Sequence, residues 1–349
     1  MAVMEKSNQP NIPELLENSR LRVTDVCDMP PEILYVGDSV IGTLGNFSAS
    51  TGKAKSKKTF NITAIVAAAM IGGTVLRYRA NLPTDKSRIL YVDTEQSPYH
   101  CIKVIQRILR LAALPLDFQP TSLEFLALRK HTPQTRIAII EQAIYGTEHL
   151  GLVIIDGIRD LAYDINSPSE STNLITKLMQ WTDERQIHIH TVLHQNKSDD
   201  NSRGHIGTEL NNKAETILQI AKDSINKDMS IVSAVHIRAM EFEKFAFRIN
   251  DDALPELAED YVPDGEVAPK GFDYQELTSE QHRQALTETF RKKESLGYGE
   301  LIEALKEGYG SIGYKYGRNK ITTLKVFLSN KLMIVQEGKA YRFNHNFYY

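Results

Sequence analysis

The chain has 349 residues, 42% of them hydrophobic and 24% charged, with a formal net charge of −3. That length suits one large α/β domain with a smaller appendage, and the near-neutral balance excludes a uniformly basic nucleic-acid binder, so any such signal must be regional. Cys27 and Cys101 stand alone without metal-ligand spacing, which excludes a disulfide scaffold and suits a reducing, cytoplasmic setting. The longest apolar run, residues 64–75, is too short to span a membrane.

Residues 1–35 read as a polar lead-in with one short helix at Ile12–Asn18, broken by Met29-Pro30-Pro31. From there to about residue 250, apolar strands alternate with amphipathic helices. The expected strands are 40–45, 89–92, 123–126, 152–155, 187–193, 216–221, 231–237 and 245–249; the expected helices are 59–70, 97–114, 135–145 and 171–185. Strands separated by helices of this length imply right-handed crossovers and a mostly parallel sheet, with the last two strands as an edge hairpin.

Between the expected first strand and first helix lies a loop of Gly52, Lys53, Ala54, Lys55, Ser56, Lys57, Lys58 and Thr59, followed by Phe60. Strand, loop, helix is the setting in which backbone N–H groups and a helix N-terminus converge on phosphates. Against the pattern G-x-x-x-x-G-K-[ST], Gly52 is the first glycine, Lys58 the phosphate-reaching lysine and Thr59 the hydroxyl for Mg²⁺. Lys57 replaces the second glycine, where a side chain obstructs the approach to phosphate unless it turns outward. Alone, the loop also fits a solvated basic turn.

Two further motifs support the phosphate cradle. Residues 88–97 read as a buried strand releasing Asp93, Thr94, Glu95 and Gln96 at its C-terminal end, the edge where open α/β sheets hold ligands. Residues 151–161 place four apolar residues before Asp156, a carboxylate at a strand tip able to hold Mg²⁺ beside Thr59. Together the three predict a nucleotide-binding ATPase core using ATP and Mg²⁺.

Residues 251–280 are acidic and proline-containing and read as a linker. Beyond them, residues 281–349 carry twelve Lys/Arg against six Asp/Glu. A helix from Tyr298, a second at Arg318–Asn330 and a hairpin turning at Glu337-Gly338 spell a winged-helix-like module. Lys315, Arg318, Lys320 and Lys325 would then contact duplex DNA; a capping or oligomerisation module with solvated basic residues is the competing reading.

With these motifs in place, the loop at 52–59, Tyr91-Val-Asp-Thr-Glu-Gln, Leu152-Val-Ile-Ile-Asp and Leu193-His-Gln-Asn-Lys resemble the RecA-fold ATPases. Within these, the chain is similar to RepA-type and DnaB-like replicative helicases of plasmids and mobile elements, over residues 36–250. The resemblance implies Glu95 as general base, with Asp93 as alternative, either of which also suits capping the helix near Ser97-Pro98. It implies His194 and Gln195 as γ-phosphate sensors, and a channel loop over 196–208 in which Lys197 and Arg203 hold single-stranded DNA; a plain surface loop fits too. It implies His236 and Arg238 as a finger acting on a neighbour's nucleotide, although His236 departs from the usual lysine. A homo-oligomer, in those relatives a hexameric ring, follows, with a primase or another replication or mobilisation protein as partner. The functions this leaves open are a DNA-dependent ring motor, an ATP-switched DNA-binding initiator, and a RecA-like recombination ATPase.

Overall fold

The structure is a computed structural model; it describes residues 11–195, 204–224, 226–259, 261, 274–314 and 316–347, without the side chains of Glu276, Arg318 and Asn319. The chain divides into two compact units, residues 1–257 and 258–349.

The larger unit is built on a nine-stranded sheet. Its strands are β1 (Phe47–Gly52), β2 (Arg88–Asp93), β3 (Leu123–Ala127), β4 (Leu150–Asp156), β5 (His188–His194), β6 (Thr216–Lys222), β7 (Ser230–Ile237), β8 (Phe245–Ile249) and β9 (Pro255–Leu257). The spatial order is β9-β8-β7-β6-β1-β5-β4-β2-β3. Every pairing from β6 to β3 is parallel, and β7, β8 and β9 add an antiparallel edge. The expected α/β class with a mostly parallel sheet is therefore the observed one. β9 lies inside the stretch whose composition reads as linker.

One strand differs from expectation. The apolar residues Val40 and Ile41 belong to Ser39–Thr43, which pairs in a separate four-stranded sheet with Glu32–Val36, Tyr78–Ala80 and Thr74–Val75. The strand that feeds the 52–59 loop is β1, whose Ser48, Ser50 and Thr51 are polar yet buried. Their burial is tolerated because they are hydrogen-bonded. Ser48 Oγ lies 2.7 Å from both His188 Nε2 and His190 Nδ1, and Ser50 Oγ lies 2.8 Å from His190 Nε2.

Besides the expected short helix Ile12–Asn18, the helices are α1 (Lys58–Ile71), α2 (Pro98–Leu111), α3 (Pro133–Gly146), α4 (Pro168–Arg185) and α5 (Gly204–Lys213). Three begin alike, at Ser97-Pro98, Thr132-Pro133 and Ser167-Pro168, with proline at N1 where no amide donor is needed. The segment α1 is apolar nearly all round because the two sheets cover it, and Gly72 in the left-handed conformation ends it. Helix α5 corrects the last part of the expected loop over 196–208, of which residues 196–203 lie outside the described residues. Residues 204–208 form its first turn, where Ile206 and Leu210, spaced i and i+4, are buried in the core shared with α4.

The smaller unit contains α6 (Ser279–Thr289), β10 (Ser295–Gly297), α7 (Tyr298–Ser311), α8 (Arg318–Asn330), β11 (Ile334–Glu337) and β12 (Ala340–Phe343). Its sheet runs β10-β12-β11, all antiparallel, and the hairpin turns at Gly338 with φ +65°. Leu286, Leu301, Leu305, Tyr309, Ile321, Leu324 and Leu328 are fully buried in a core of its own.

Candidate nucleotide site

The 52–59 loop, the tips of β2, β4 and β5, and one face of α2 enclose a cleft of about 410 Å³ at the C-terminal edge of the parallel strands. Gly52 is required there by contact rather than by conformation: a Cβ would fall 2.2 Å from the Ile220 carbonyl oxygen on β6. Lys55 and Lys57 both hold positive φ, +66° and +68°. Such left-handed residues turn successive backbone N–H groups toward one point, as in an anion nest, at a steric cost of about 1 kcal/mol for each non-glycine. Ser56 Oγ is buried in the cradle without a hydrogen-bond partner among the described residues, which suits a ligand rich in acceptors.

Lys58, only 7% exposed, donates from Nζ to the carbonyls of Gly52 at 2.8 Å and Lys53 at 3.0 Å, and lies 3.1 Å from His194 Nδ1. Burial lowers its pKa to about 8, against the pull of Asp156 and Glu95. Thr59 Oγ1 donates to Asp156 Oδ2 at 3.0 Å, and Tyr91 OH donates to the same oxygen at 2.9 Å. Burial first, then Asp93, raises the Asp156 carboxyl to about 6 despite those two donors. A half-buried hydroxyl beside a buried carboxylate with this cost of ionisation fits a divalent cation, whose charge would offset it.

Glu95 and Asp93 are distinguished by what they touch. Asp93 Oδ1 accepts from the backbone N–H of Glu95 at 3.0 Å and of Gln96 at 2.7 Å, and its Oδ2 accepts from Gln96 Nε2 at 2.7 Å. It shapes the turn. The Glu95 carboxylate lines the cleft, 3.6 Å from His194 Nε2. His194 foremost, with Lys58 and Arg159, holds Glu95 below the usual carboxylate range although burial works the other way. His194 thus stands between lysine and carboxylate, delivered by β5, whose register sets it opposite Gly52.

The family model of the AAA domain matches residues 20–200, more than half of the chain. The chain belongs to the AAA domain family. Its P-loop, Asp156, Glu95 and His194 all fall within the matched AAA domain, whereas β6 to β9 and the smaller unit fall outside it. No curated protein matches the chain. Among solved structures, that of the RadB recombinase aligns over 60% of this chain and 90% of its own, at 14% identity and a TM-score of 0.42.

The other expected site residues are distributed unevenly around the AAA domain cleft. Gln195 is buried next to it, its N–H donating to Gly52 O at 3.1 Å. Lys53 and Ala54 lie in the loop, and Phe60 lines the cleft under the Arg107 guanidinium, 3.7 Å from the ring centroid. Arg107, held by Ala253 O at 3.2 Å, escaped the sequence reading because only the fold of α2 brings it there. His236 and Arg238 are exposed and are not brought to this cleft. Strand β7 runs antiparallel to β6, pairing Val232 with Ile220 and Ile237 with Thr216. Arg238, whose N–H donates to Glu215 O, therefore lies about 17 Å along the sheet from the level of Gly52 and Ile220, at ~3.3 Å per residue. Lys197, Arg203 and Lys315 lie outside the described residues.

In the smaller unit, Arg318 begins α8, and Lys320 is exposed beside the Tyr316 ring, 5.0 Å from its centroid. Lys325 is half-buried between the rings of Tyr341 at 4.5 Å and Tyr298 at 5.9 Å. No helix among the described residues is long and apolar enough to cross a membrane.

Proposed function

We propose that this AAA-domain ATPase hydrolyses ATP as a DNA-dependent, ring-forming motor of the RepA-like helicase or translocase kind, serving replication or mobilisation of a plasmid or mobile element. The observation that carries the ATPase part is the convergence of Lys58, Thr59, Asp156, Glu95 and His194 on one cleft behind an anion-nest loop. Lys58 follows the β- and γ-phosphates, exchanging its bonds to loop carbonyls for phosphate oxygens. Thr59 and Asp156 would hold Mg²⁺, which neutralises charge on the phosphate oxygens. Glu95, free of the turn that occupies Asp93, accepts the proton of the attacking water. His194, in contact with both Lys58 and Glu95, senses whether the γ-phosphate is present and relays it into β5.

Arg238 supports the oligomer half of the reading. It is exposed and far from its own chain's cleft, so a catalytic role for it requires a neighbour's nucleotide. A DNA role for the smaller unit rests on its helix, helix, hairpin order and on exposed Lys320 at α8. That module also favours a second reading, an ATP-switched initiator that binds duplex DNA without unwinding it. Strand displacement with Mg-ATP separates the two. The motor reading expects displacement and hydrolysis stimulated by single-stranded DNA. Salt-resistant binding to one duplex sequence without displacement supports the initiator instead. ATP turnover that is indifferent to DNA overturns both.

A further inference from the structure

The P-loop of this chain is joined to the β6–β7 hairpin at both of its ends. At its start, Gly52 lies against the Ile220 carbonyl of β6 so closely that no Cβ fits between them. At its end, Lys57 Nζ donates to the carbonyl oxygen of Asp228 at 2.8 Å. Asp228 sits in a turn with bonds of its own. Asn226 N–H donates to Asp223 Oδ1 at 2.7 Å, Asp228 N–H donates to Asn226 Oδ1 at 3.2 Å, and Asp223 N–H donates to Met229 O at 3.1 Å. The acceptor is therefore a fixed point rather than a loose loop.

Lys57 reaches that point from a backbone conformation that favours glycine, φ +68°. A lysine is sterically worse there than a glycine, and its ammonium is engaged 171 positions along the chain instead of being offered only to phosphate. We propose that Lys57 is a positioning residue: it clamps the P-loop to the β6–β7 turn and so holds the loop in its phosphate-binding form before nucleotide arrives. The clamp rests on the nucleotide reading of the cleft for its purpose, though not for its geometry. It also explains how the loop tolerates a side chain at this position, because the same bond that holds the loop carries the side chain away from the cradle.

The clamp and a merely tolerated lysine make opposite predictions for Lys57→Gly. If the lysine is only tolerated, glycine relieves strain and nucleotide binds as well or better. If it clamps, glycine frees the loop and removes the bond, and binding weakens by about tenfold. Lys57→Ala keeps the strain without the bond and falls further, whereas Lys57→Arg retains the reach and stays close to wild type. Two measurements on the full chain decide it. One is the affinity for a fluorescent ATP analogue with Mg²⁺. The other is hydrogen exchange of the amides of residues 53–59 without nucleotide, with α4 amides as the internal check that the variants are folded. Faster P-loop exchange in Lys57→Gly and Lys57→Ala, but not in Lys57→Arg, is the expected result. Unchanged exchange in Lys57→Gly, or analogue binding as tight as wild type, overturns the clamp. Failure of the wild type to bind Mg-ATP analogues would remove the nucleotide reading, and the exchange experiment would still decide the clamp.

Discussion

The two carboxylates at the tip of β2 make different contacts, and substitution tests whether their proposed roles differ accordingly. Glu95→Gln is expected to keep nucleotide bound while slowing turnover by about 10²–10⁴, the usual contribution of a general base. Asp93→Asn, which disturbs the acceptor for two backbone N–H groups, is expected to lower thermal stability along with activity. Steady-state turnover and thermal midpoints of the pair check this; turnover lost with Asp93→Asn and retained with Glu95→Gln would exchange their roles. Lys58→Ala should weaken nucleotide affinity together with turnover, because it removes the point charge at the β- and γ-phosphates; titration calorimetry reads the first quantity directly. At this scale the meeting of Lys58, Thr59, Glu95 and Asp156 at one cleft was legible, since each stands in a loop or at a strand tip on the same sheet edge, while the choice of Glu95 as base rests on the resemblance. Arg107 and the Lys57–Asp228 bond were not legible, because contacts across 146 and 171 positions leave no trace in local spacing.

Among the elements, β1 and β5 share a buried polar seam that makes stability depend on pH. His188 Nδ1 lies 2.8 Å from Thr43 O, and Ser48 joins His188 to His190. Burial depresses both histidines, His190 to about 3, and pushes His282 of the smaller unit to about 4. The unfolded chain takes up protons below about pH 6.5 and the fold does not. Stability is therefore full above that pH and declines as pH falls toward the folded values, by about 1.4 kcal/mol per pH unit for each histidine. Thermal midpoints measured from pH 8 to 5 should show the decline, and a midpoint independent of pH would contradict it. Ser48→Ala, which deprives two ring nitrogens of a partner, is expected to cost about 1–3 kcal/mol, read by denaturant unfolding. The same seam explains why β1 was misread. Its serines look like loop until His188 and His190 on the neighbouring strand supply their hydrogen bonds. Strands β2 and β4 were legible because unbroken apolar runs leave little alternative to burial on both faces. Helix α5 was not, since Ile206 and Leu210 are its only large apolar residues in a polar stretch.

For the whole molecule, the two units predict separable losses. A chain ending at residue 257 is expected to retain the larger unit's sheet and cleft. It is expected to keep ATP turnover while losing affinity for duplex DNA, which filter binding across a salt series would measure. In the full chain, Lys320→Ala should lower the slope of log affinity against log salt by about one unit, as for one lost phosphate contact. Lys325, engaged with two rings, should matter less to that slope and more to folding of the module. Equal slopes for wild type and Lys320→Ala would make the smaller unit a packing or partner module. Two of the module's helices, α7 and α8, and its hairpin were legible from their apolar spacing and the Glu337-Gly338 turn, whereas α6 was not and begins inside the stretch whose composition reads as linker. The short strand β10 was not legible either, because its three residues gain their identity only by pairing with β12.

If Arg238 is the finger proposed above, the reversal of direction between β6 and β7 sets the kinetic order of the reaction. Because β7 carries Arg238 away from its own P-loop, the guanidinium of that proposal and the nucleotide it serves belong to different molecules. Hydrolysis per chain should then rise with protein concentration and level off once assembly is complete, and dilution should extinguish it faster than it extinguishes nucleotide binding. Arg238→Ala and Glu95→Gln, each inactive alone, should recover part of the turnover when mixed, since one supplies the finger and the other the base. A turnover number that stays constant on dilution to the lowest detectable concentration would return Arg238 to an ordinary place on the surface of the edge strand.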